Sequence, residues 1–388
     1  MKLTINREDI LSPLQIISGV VERKQTMPVL SNILLIAEQG DVSLTGTNME
    51  VELVCKLDNV QVEVEGQITI PARKLVDICR SLKSNAVIGL ELEGDKIHLR
   101  SGKSHFSLST LPADQFPNIE ENEHDLSVTF LQKDFKNMLD ATSFAMAQQD
   151  VRYYLNGMLL ELGDRYVRMV STDGHRLALS TLATDLEREE AKQVIVPRKG
   201  IIELGRLLTD SDDEVTLSIG DSHIYSQIGN YKFTSKLIDG KFPDYNRVIP
   251  KGGDKIMYAE RSALKDMFSR ASILSHENIR GIQLHLSQNQ LQVFANNPEH
   301  EQAEDCLEVN YEYDDLQIGF NVSYLIDVMN GFPDSWGTWI DALNNPVGNT
   351  FNPATDPGGT YRYVIGGTTN CPGDTSWLDI NLVAGSSM

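Results

Sequence analysis

The sequence predicts an α+β protein built from three copies of one domain, and three observations support this fold class. A strand followed by an amphipathic helix occurs at residues 70–82 and again 126 positions later at residues 196–208. The pair Phe116-Pro117 returns as Phe242-Pro243 with the same offset. Alternating polar and apolar runs, which are typical of half-buried strands, separate the helices. A period near 125 residues is too long for a solenoid unit, so we expect it to correspond to a whole domain.

Each copy is predicted to contain two helices. Apolar side chains at helical spacing place the opening helices at residues 8–17, 133–146 and 261–274. The second helices are predicted within the segments 70–82, 196–208 and, in a weaker copy, 320–330, each of which begins with the end of a strand. In the first two copies a proline is predicted in the first turn of the helix, where its fixed φ angle is tolerated. About 35 residues of strand follow the second helix in these two copies.

The second helices carry matched charges. An acidic residue occupies the same place in all three copies, as Asp77, Glu203 and Asp327. Basic residues seven positions apart, and therefore on one helical face, accompany it in two copies, as Arg73 and Arg80 and as Lys199 and Arg206. The third copy has Ser323 and Asn330 there. A solvated helix face is the simplest explanation, but repetition at matched positions favours a shared role around a common axis.

The composition limits the class of protein. The chain has 388 residues with 55 acidic and 34 basic side chains, for a formal net charge of −21. Such a chain should be repelled by nucleic acid unless its basic groups are gathered on one surface. The four cysteines form no CxxC pair, which suits a reducing compartment. The chain shows neither a signal-peptide pattern nor a membrane span, so we expect a cytoplasmic location.

Two short segments could carry chemistry. The run from Ser171 to Arg176 places a hydroxyl, a carboxylate and an imidazole together, so a hydrolase using Asp173 and His175 is one hypothesis. Asp-Gly is also a strong turn signal, and we favour a turn or a binding loop. Arg152 precedes two tyrosines, a mixture that suits phosphate contact and base stacking but also suits a simple anchor for the next strand. No nucleotide-binding or metal-binding motif occurs, so neither a cofactor nor a metal is expected.

The composition changes abruptly after Asn330. Residues 331–388 contain no lysine, no glutamate and all three tryptophans, together with nine glycines and five prolines. Two strands of a hairpin are predicted at residues 359–366 and 376–383, joined through a loop with Cys371. This tail resembles a fragment of an immunoglobulin-like repeat from a bacterial surface protein. We therefore predict domains at residues 1–122, 123–250 and 251–330, the third incomplete, followed by an unrelated β-rich tail at 331–388.

Residues 1 to about 330 resemble a known family. The matching runs include Gln149 to Met158, Thr172 to Leu177, Phe242 to Tyr245 and Ile318 to Tyr324. They resemble the bacterial sliding clamp family, the beta subunit of DNA polymerase III. The resemblance implies a non-catalytic processivity factor of DNA replication, in which a homodimer forms a head-to-tail ring around double-stranded DNA. Helices would line the hole and antiparallel sheets would form the outer wall.

The resemblance also assigns residues to three surfaces. Sequence-independent DNA contacts would come from Lys24, Arg73, Arg80, Gln149, Arg152, Tyr153, Tyr154, Arg198, Lys199 and Arg206. A cleft for short peptide motifs of the polymerase III alpha subunit, the clamp loader and repair polymerases would use Leu155, Thr172, Gly174, His175, Arg176, Leu177, Pro243, Arg247, Val248, Asn321 and Tyr324. The dimer interface would use Lys103, Phe106, Leu108, Ile273 and Leu274. No membrane partner is implied.

The tail departs from the family pattern. The family chain ends in a strand and a short apolar segment that completes the peptide cleft, and neither is present in this sequence. The tail is therefore either foreign sequence or a hairpin that replaces the missing strands. A monomeric peptide-binding adaptor that does not close a ring is the alternative function.

Overall fold

The computed structural model describes residues 1–22, 27–119, 124–249, 255, 257–331, 360–368 and 375–382, with only the backbone for Asp125 and the last two ranges. Three successive repeats contain the same alternation of helices and strands. The predicted loop with Cys371 and most of the tail lie outside the described residues. None of the helices in the described ranges reaches the length and hydropathy that crossing a membrane requires.

The first repeat contains two helices and nine strands. Its helices are α1 (Arg7–Val20) and α2 (Ala72–Ser81). Its strands are β1 (Lys2–Asn6), β2 (Asn32–Glu38), β3 (Asp41–Thr47), β4 (Val51–Leu57), β5 (Gln61–Val64), β6 (Gly66–Pro71), β7 (Val87–Glu93), β8 (Lys96–Ser101) and β9 (Ser104–Ser109).

The second repeat follows the same plan. Its helices are α3 (Gln132–Ser143) and α4 (Arg198–Leu207). Its strands are β10 (His124–Leu131), β11 (Gly157–Gly163), β12 (Tyr166–Thr172), β13 (Arg176–Ala183), β14 (Lys192–Pro197), β15 (Glu214–Gly220), β16 (His223–Ile228) and β17 (Tyr231–Lys236).

The third repeat is shorter. Its helices are α5 (Arg261–Ile273) and α6 (Val322–Gly331). Its strands are β18 (Gly281–Ser287), β19 (Gln290–Asn296), β20 (Gln302–Glu308) and β21 (Leu316–Asn321). The tail adds β22 (Thr360–Thr368) and β23 (Thr375–Leu382), which pair antiparallel as the predicted hairpin.

The helices form where apolar side chains recur on one face. In α1 the buried residues are Ile10, Leu14, Ile17 and Val20, spaced three or four positions apart. Helix α2 begins just after Pro71, which closes β6, so the proline precedes the helix instead of lying in its first turn. All six predicted helices are present within one turn of their predicted bounds.

The chain divides into two compact units, and the division passes through the second repeat. The first unit contains residues 1–135 and 199–237. Its eight-stranded antiparallel sheet has the order β10-β15-β16-β17-β4-β3-β2-β6, and a five-stranded sheet has the order β5-β1-β7-β8-β9. The pairing of β17 with β4, with Tyr231 opposite Cys55, runs one sheet through the first and second repeats.

The second unit contains residues 136–198 and the chain from Ile238 onward. Its largest sheet has the order β14-β11-β12-β13-β22-β21-β18-β19-β20, with β23 attached to β22. Tail strand β22 pairs with β13 over six residue pairs, from Arg176 opposite Ile365 to Thr181 opposite Thr360. Its contact with β21 is a single pair, Gly319 opposite Thr368. The tail strand thus borders β13 as β17 borders β4.

Candidate functional site

A cavity of about 180 Å³ lies in the second unit, at the start of β13. We call it the cleft. It is lined by Arg152, Tyr154, Leu155, Thr172, Gly174, Arg176, Leu177, Phe242, Pro243, Asp244, Tyr245 and Val248. Most of the lining is apolar, with arginines and a carboxylate at its margin. A concave apolar surface with a few polar anchors is typical of a peptide-binding site.

The floor of the cleft is part of a hydrophobic core. Leu155, Leu177, Phe242 and Tyr245 are each at most 5% exposed and belong to one packed cluster. Val248 stands at the margin with 46% of its surface exposed. A bound apolar side chain would therefore rest on a surface already held in place by core packing, which lowers the entropy cost of binding.

Tyr245 is fixed from below by a polar network. Its hydroxyl accepts a hydrogen bond from Arg168 Nη1 at 2.8 Å and donates to Glu161 Oε1 at 3.0 Å. Arg168 also pairs with Glu161 at 3.3 Å. Burial raises the pKa of Tyr245 above its usual value. The phenol therefore stays neutral at physiological pH and serves as a rigid part of the floor.

The Thr172–Arg176 segment forms a tight turn at the cleft wall. Asp173 Oδ1 accepts hydrogen bonds from the backbone amides of His175 and Arg176, at 2.9 and 3.0 Å. Thr172 Oγ1 accepts from the Gly174 amide at 3.1 Å. Gly174 has a φ of +89°, a conformation that favours glycine. Asp173 is thus used to close the turn, and the exposed His175 ring is left outside the cleft lining.

Arg152 lies against this turn. Its guanidinium donates two hydrogen bonds to Asp150, Nε to Oδ1 at 3.0 Å and Nη2 to Oδ2 at 2.8 Å. Nη2 also donates to the Asp173 carbonyl at 3.2 Å. The fork lowers the pKa of the Asp150 carboxyl to about 2. A Cβ on Gly174 would lie 2.9 Å from Arg152 Nη1, so the glycine also makes room for the arginine.

Arg176 connects the cleft wall to α6. Its side chain is 12% exposed and pairs with Asp173 Oδ2 at 3.0 Å and Asp327 Oδ2 at 2.5 Å. Nη2 donates to the Phe144 carbonyl at 2.8 Å, and the guanidinium lies 4.5 Å from the centre of the Tyr324 ring. Two carboxylates, a carbonyl and an aromatic face therefore satisfy this cation in a partly buried position.

The structure brings together seven of the eleven residues predicted for peptide binding. These are Leu155, Thr172, Gly174, Arg176, Leu177, Pro243 and Val248. Arg247 is 84% exposed and pairs with Asp244, while Tyr324 packs on Arg176 from α6. Asn321 instead lines a larger open hollow of about 870 Å³ over β18, β19, β20 and β21. Its Oδ1 accepts from the Ser323 amide at the start of α6.

Five residues of the cleft were not predicted for it. Arg152 and Tyr154 were assigned to DNA contact, and Phe242, Asp244 and Tyr245 were not assigned to any site. The run Phe242 to Tyr245 is one of the segments that resemble the family, and this resemblance is a sequence signal for three of the five. The position of Arg152 depends on its bonds to Asp150 and Asp173, which spacing alone does not reveal.

The residues predicted to contact DNA fall into distinct environments. Arg73 and Arg80 are exposed on α2, and Gln149 and Tyr153 are exposed before β11. Arg198 donates to the Met146 carbonyl at 3.1 Å. Lys24 lies outside the described residues.

Lys199 and Arg206 are both held by one buried carboxylate. Glu203 is 0% exposed and receives Lys199 Nζ at 3.0 Å and Arg206 Nη1 at 2.9 Å. Lys199 Nζ also donates to the Gly19 carbonyl at 2.6 Å. Lys199 is 29% exposed and Arg206 56% exposed, so Arg206 keeps the larger solvent-facing surface.

The residues predicted for the dimer interface lie near two sheet edges. Phe106 and Leu108 belong to β9, which ends the five-stranded sheet, and Lys103 precedes it. Ile273 and Leu274 lie at the end of α5, and this helix packs against β20 and β19. Strand β20 ends the large sheet of the second unit, and Ile273 is 76% exposed.

Comparisons with known proteins agree along the chain. Residues 1–120, 129–244 and 246–335 match the N-terminal, central and C-terminal domains of the DNA polymerase III beta subunit. The beta sliding clamp of Pseudomonas putida is 54% identical over 329 residues, which cover 85% of this chain and 90% of that protein. The Escherichia coli K12 beta sliding clamp is 48% identical over 330 residues, with the same coverage.

Solved structures show the same fold. The crystal structure of the Pseudomonas aeruginosa DNA polymerase III subunit beta matches with a TM-score of 0.82 and 45% identity, over 99% of this chain and 100% of that chain. A second structure from that organism, bound to griselimycin, matches with a TM-score of 0.81 and 46% identity, over 98% and 99% of the two chains. The chain belongs to the DNA polymerase III beta subunit family, the sliding clamps, which are non-catalytic processivity factors.

Proposed function

We propose that two copies of this chain close head to tail into a ring around duplex DNA. One observation carries this proposal: the sheets continue through the junctions between repeats and leave two matching edges. Strand β17 pairs with β4 at the first junction, and β22 pairs with β13 at the second. By its position within the repeat, β9 is equivalent to β17. Strand β20 is equivalent in the same way to β4 and β13.

Both remaining edges are available within the described chain. Strand β9 pairs with β8 and β20 pairs with β19, and each ends its sheet there. Antiparallel pairing of β9 with β20 of a second copy would repeat the internal junctions and satisfy backbone groups at both edges. Lys103, Phe106 and Leu108 would then meet Ile273 and Leu274 of the second copy. Two such contacts close a ring of six domains.

The hole of this ring is the proposed DNA site. Exposed basic groups of the second helices, Arg73, Arg80 and Arg206, would meet phosphates without reading sequence, because a sliding ring holds no single register. Gln149, Tyr153, Tyr154, Arg152, Arg198, Lys199 and Lys24 complete the proposed set. The net charge of −21 disfavours DNA on the outer surface, so affinity is confined to the hole.

The cleft is the proposed docking site for short peptide motifs of polymerases, the clamp loader and repair proteins. Its apolar floor and its margin of Arg152, Arg176 and Asp244 suit an apolar peptide with one or two polar groups. We further propose that griselimycin, which is bound in the related Pseudomonas aeruginosa structure, occupies this cleft in the present chain. A longer peptide would make outer contacts with His175, Arg247, Asn321 and Tyr324.

We place the domain boundaries near residues 122, 250 and 330. We also place the protein in the cytoplasm, where Cys55, Cys79 and Cys306 remain free thiols.

Retention on circular DNA tests the ring. The clamp is loaded on nicked circular DNA by a clamp loader, passed over a sizing column, and the DNA is then linearised. We expect the protein to remain with the circle and to leave the linear form, because topology and not affinity holds it. Equal loss from both forms would contradict the ring. Griselimycin binding by a chain that stays at 43.3 kDa would then support the monomeric adaptor.

A further inference from the structure

The repeated acidic residue of the second helices has a common structural role in two repeats. Glu203 of α4 and Asp327 of α6 both lie where one repeat meets the preceding one. At each place a cation paired with the acid donates to a carbonyl at the end of the preceding repeat's opening helix. The third member, Asp77 of α2, belongs to the first repeat, and none of the three described repeats precedes it in sequence.

The first junction shows the contact in detail. Glu203 is fully buried between Lys199 and Arg206, and Lys199 Nζ donates to the Gly19 carbonyl in the last turn of α1. A Cβ on Gly19 would lie 2.8 Å from Glu203 Oε2 and 2.9 Å from Arg206 Nη1. The Lys-Glu-Arg face of α4 therefore holds the end of α1 in close contact. A cation near the C-terminal end of a helix is also favoured by the helix dipole.

The second junction reaches the same arrangement with a different cation. Here Ser323 and Asn330 replace the basic residues of the helix, and Arg176 of the preceding repeat supplies the charge. Arg176 pairs with Asp327 and donates to the Phe144 carbonyl, one residue beyond the end of α3. The acid, the cation and the terminal carbonyl are thus all retained.

The first repeat has the acidic residue and the two basic residues, but no described repeat precedes it to supply a helix end that packs against them. Asp77 is exposed, and within the described chain it forms no ion pair. Arg73 and Arg80 stand 126 positions before Lys199 and Arg206, and both are also exposed. An acid that is buried at one junction is therefore open to solvent in a single copy.

The matching carbonyl lies at the end of α5. Helices α1 and α5 begin at Arg7 and Arg261, and that offset of 254 places Ile273 where Gly19 stands. Ile273 ends α5 and is 76% exposed, so the end of this helix is open to solvent in a single copy.

We propose that the Arg73-Asp77-Arg80 face of α2 docks on the C-terminal turn of α5 of a second copy of this chain. Arg73 corresponds to Lys199 and donates hydrogen bonds to the terminal carbonyls near Ile273. Asp77 corresponds to Glu203 and pairs with Arg73 and Arg80. This inference rests on the proposed ring and deepens it, because it adds a contact between helices to the pairing of β9 with β20. It also changes the role of Arg73, which positions the junction as well as facing the DNA.

Reversing the charge of Asp77 distinguishes a role in docking the second copy from a role in which Asp77 only faces the DNA in the hole. If Asp77 only faced DNA, Asp77→Lys would strengthen DNA binding and leave the dimer unchanged. If Asp77 organises the junction, the same change gathers positive charge beside Arg73 and Arg80 and weakens the dimer. The two roles therefore predict opposite effects on retention by circular DNA.

The experiment compares wild type with Asp77→Lys, Asp77→Asn and the control Asp164→Lys, which makes the same charge change at an exposed turn between β11 and β12. Sedimentation velocity gives the dimer dissociation constant, and retention on nicked circular DNA gives ring function. We expect Asp77→Lys to raise the constant by at least about tenfold and to lower retention. Asp77→Asn should raise it by about threefold, and Asp164→Lys should leave it unchanged.

Each other outcome has a defined meaning. A dimer of unchanged affinity in Asp77→Lys, with equal or stronger retention, overturns the docking role and leaves the ring intact. A monomeric wild type overturns both the ring and the docking role. Thermal unfolding of each variant checks folding. If the Asp77→Lys monomer has a lower melting temperature than the wild-type monomer, the dimer dissociation constant of Asp77→Asn decides instead. An unchanged dissociation constant in Asp77→Asn overturns the proposal.

Discussion

Arg176 Nη1 lies 2.5 Å from Asp327 Oδ2, although 151 positions separate these residues in the chain. The pair joins the first residue of β13, at the cleft wall, to the middle of α6. Because Arg176 also closes the Thr172–Arg176 turn through Asp173, the shape of the cleft depends on a helix of the next repeat.

Removal of the Asp327 carboxylate should therefore affect stability and binding together. We expect Asp327→Ala to lower the free energy of unfolding by about 1 to 3 kcal/mol, because Arg176 is partly buried and loses one of its two carboxylates. Urea denaturation measures this loss, and the affinity for griselimycin, the proposed ligand of the cleft, measures the effect on binding. Asp164→Ala, at an exposed turn, is the control. Unchanged stability and affinity in Asp327→Ala would show that Asp173 alone fixes the arginine.

The apolar margin of the cleft provides a second test. Val248→Asp places a charge at a surface that is 46% exposed and should weaken griselimycin binding by at least about tenfold, because that charge loses water when the ligand binds. Arg247→Ala, one position away with a side chain that is 84% exposed, should change affinity less than threefold. Calorimetric titration gives both values. Equal effects of the two changes would place the ligand elsewhere.

Substitution of two glycines of the first unit by alanine should change stability in opposite directions. Gly19→Ala introduces a Cβ 2.8 Å from Glu203 Oε2 and should cost about 1 to 3 kcal/mol of stability. Gly205→Ala meets no atom within 4 Å and should stabilise α4 by about 0.5 to 1 kcal/mol, because alanine has the higher helix propensity. Thermal unfolding of the two variants should shift in opposite directions. A neutral Gly19→Ala would mean that the end of α1 is not tightly held.

The Asp150 and Arg152 pair predicts a specific titration. The pKa of Asp150 is lowered to about 2 by the arginine fork, so the folded state binds this proton less readily than the unfolded chain. The pair therefore stabilises the native loop above about pH 4, and that contribution is lost as the pH falls towards 2. NMR titration should report a value near 2 in wild type and a return towards 3.8 in Arg152→Ala. Arg165→Ala, which removes another exposed arginine, should leave the low value in place.

The tail can be tested by truncation. Removal of residues 332–388 takes away β22 and leaves the β13 edge unpaired. We expect the melting temperature to fall by several degrees and the amides of β13 to exchange faster, while those of β4 in the first unit remain protected. An unchanged melting temperature, with unchanged exchange, would show that the tail is foreign sequence without a structural role.

The sequence alone was sufficient for the features that depend on local pattern. The six helices follow from apolar spacing, as in Ile10, Leu14 and Ile17 of α1, and the repeat follows from matched segments. The charged contacts at the junctions were not predictable in this way. Lys199 was assigned to DNA, yet it reaches Gly19, which is 180 positions away. Arg152 was assigned likewise, yet it lines the cleft because Asp150 holds it. Such roles depend on which distant elements meet, and periodicity does not encode that.

The pairing of β13 with β22 also has a consequence for synthesis on the ribosome. Its two strands lie roughly 180 residues apart in the chain, as do β4 and β17. At about 5 to 20 residues per second, the edge of each earlier strand stays open for roughly 10 to 40 s before its neighbour emerges. Long-range pairing of this kind is slow to form and is exposed to aggregation meanwhile. The nascent chain thus presents two unpaired edges in succession, and we expect it to depend on chaperones during that interval.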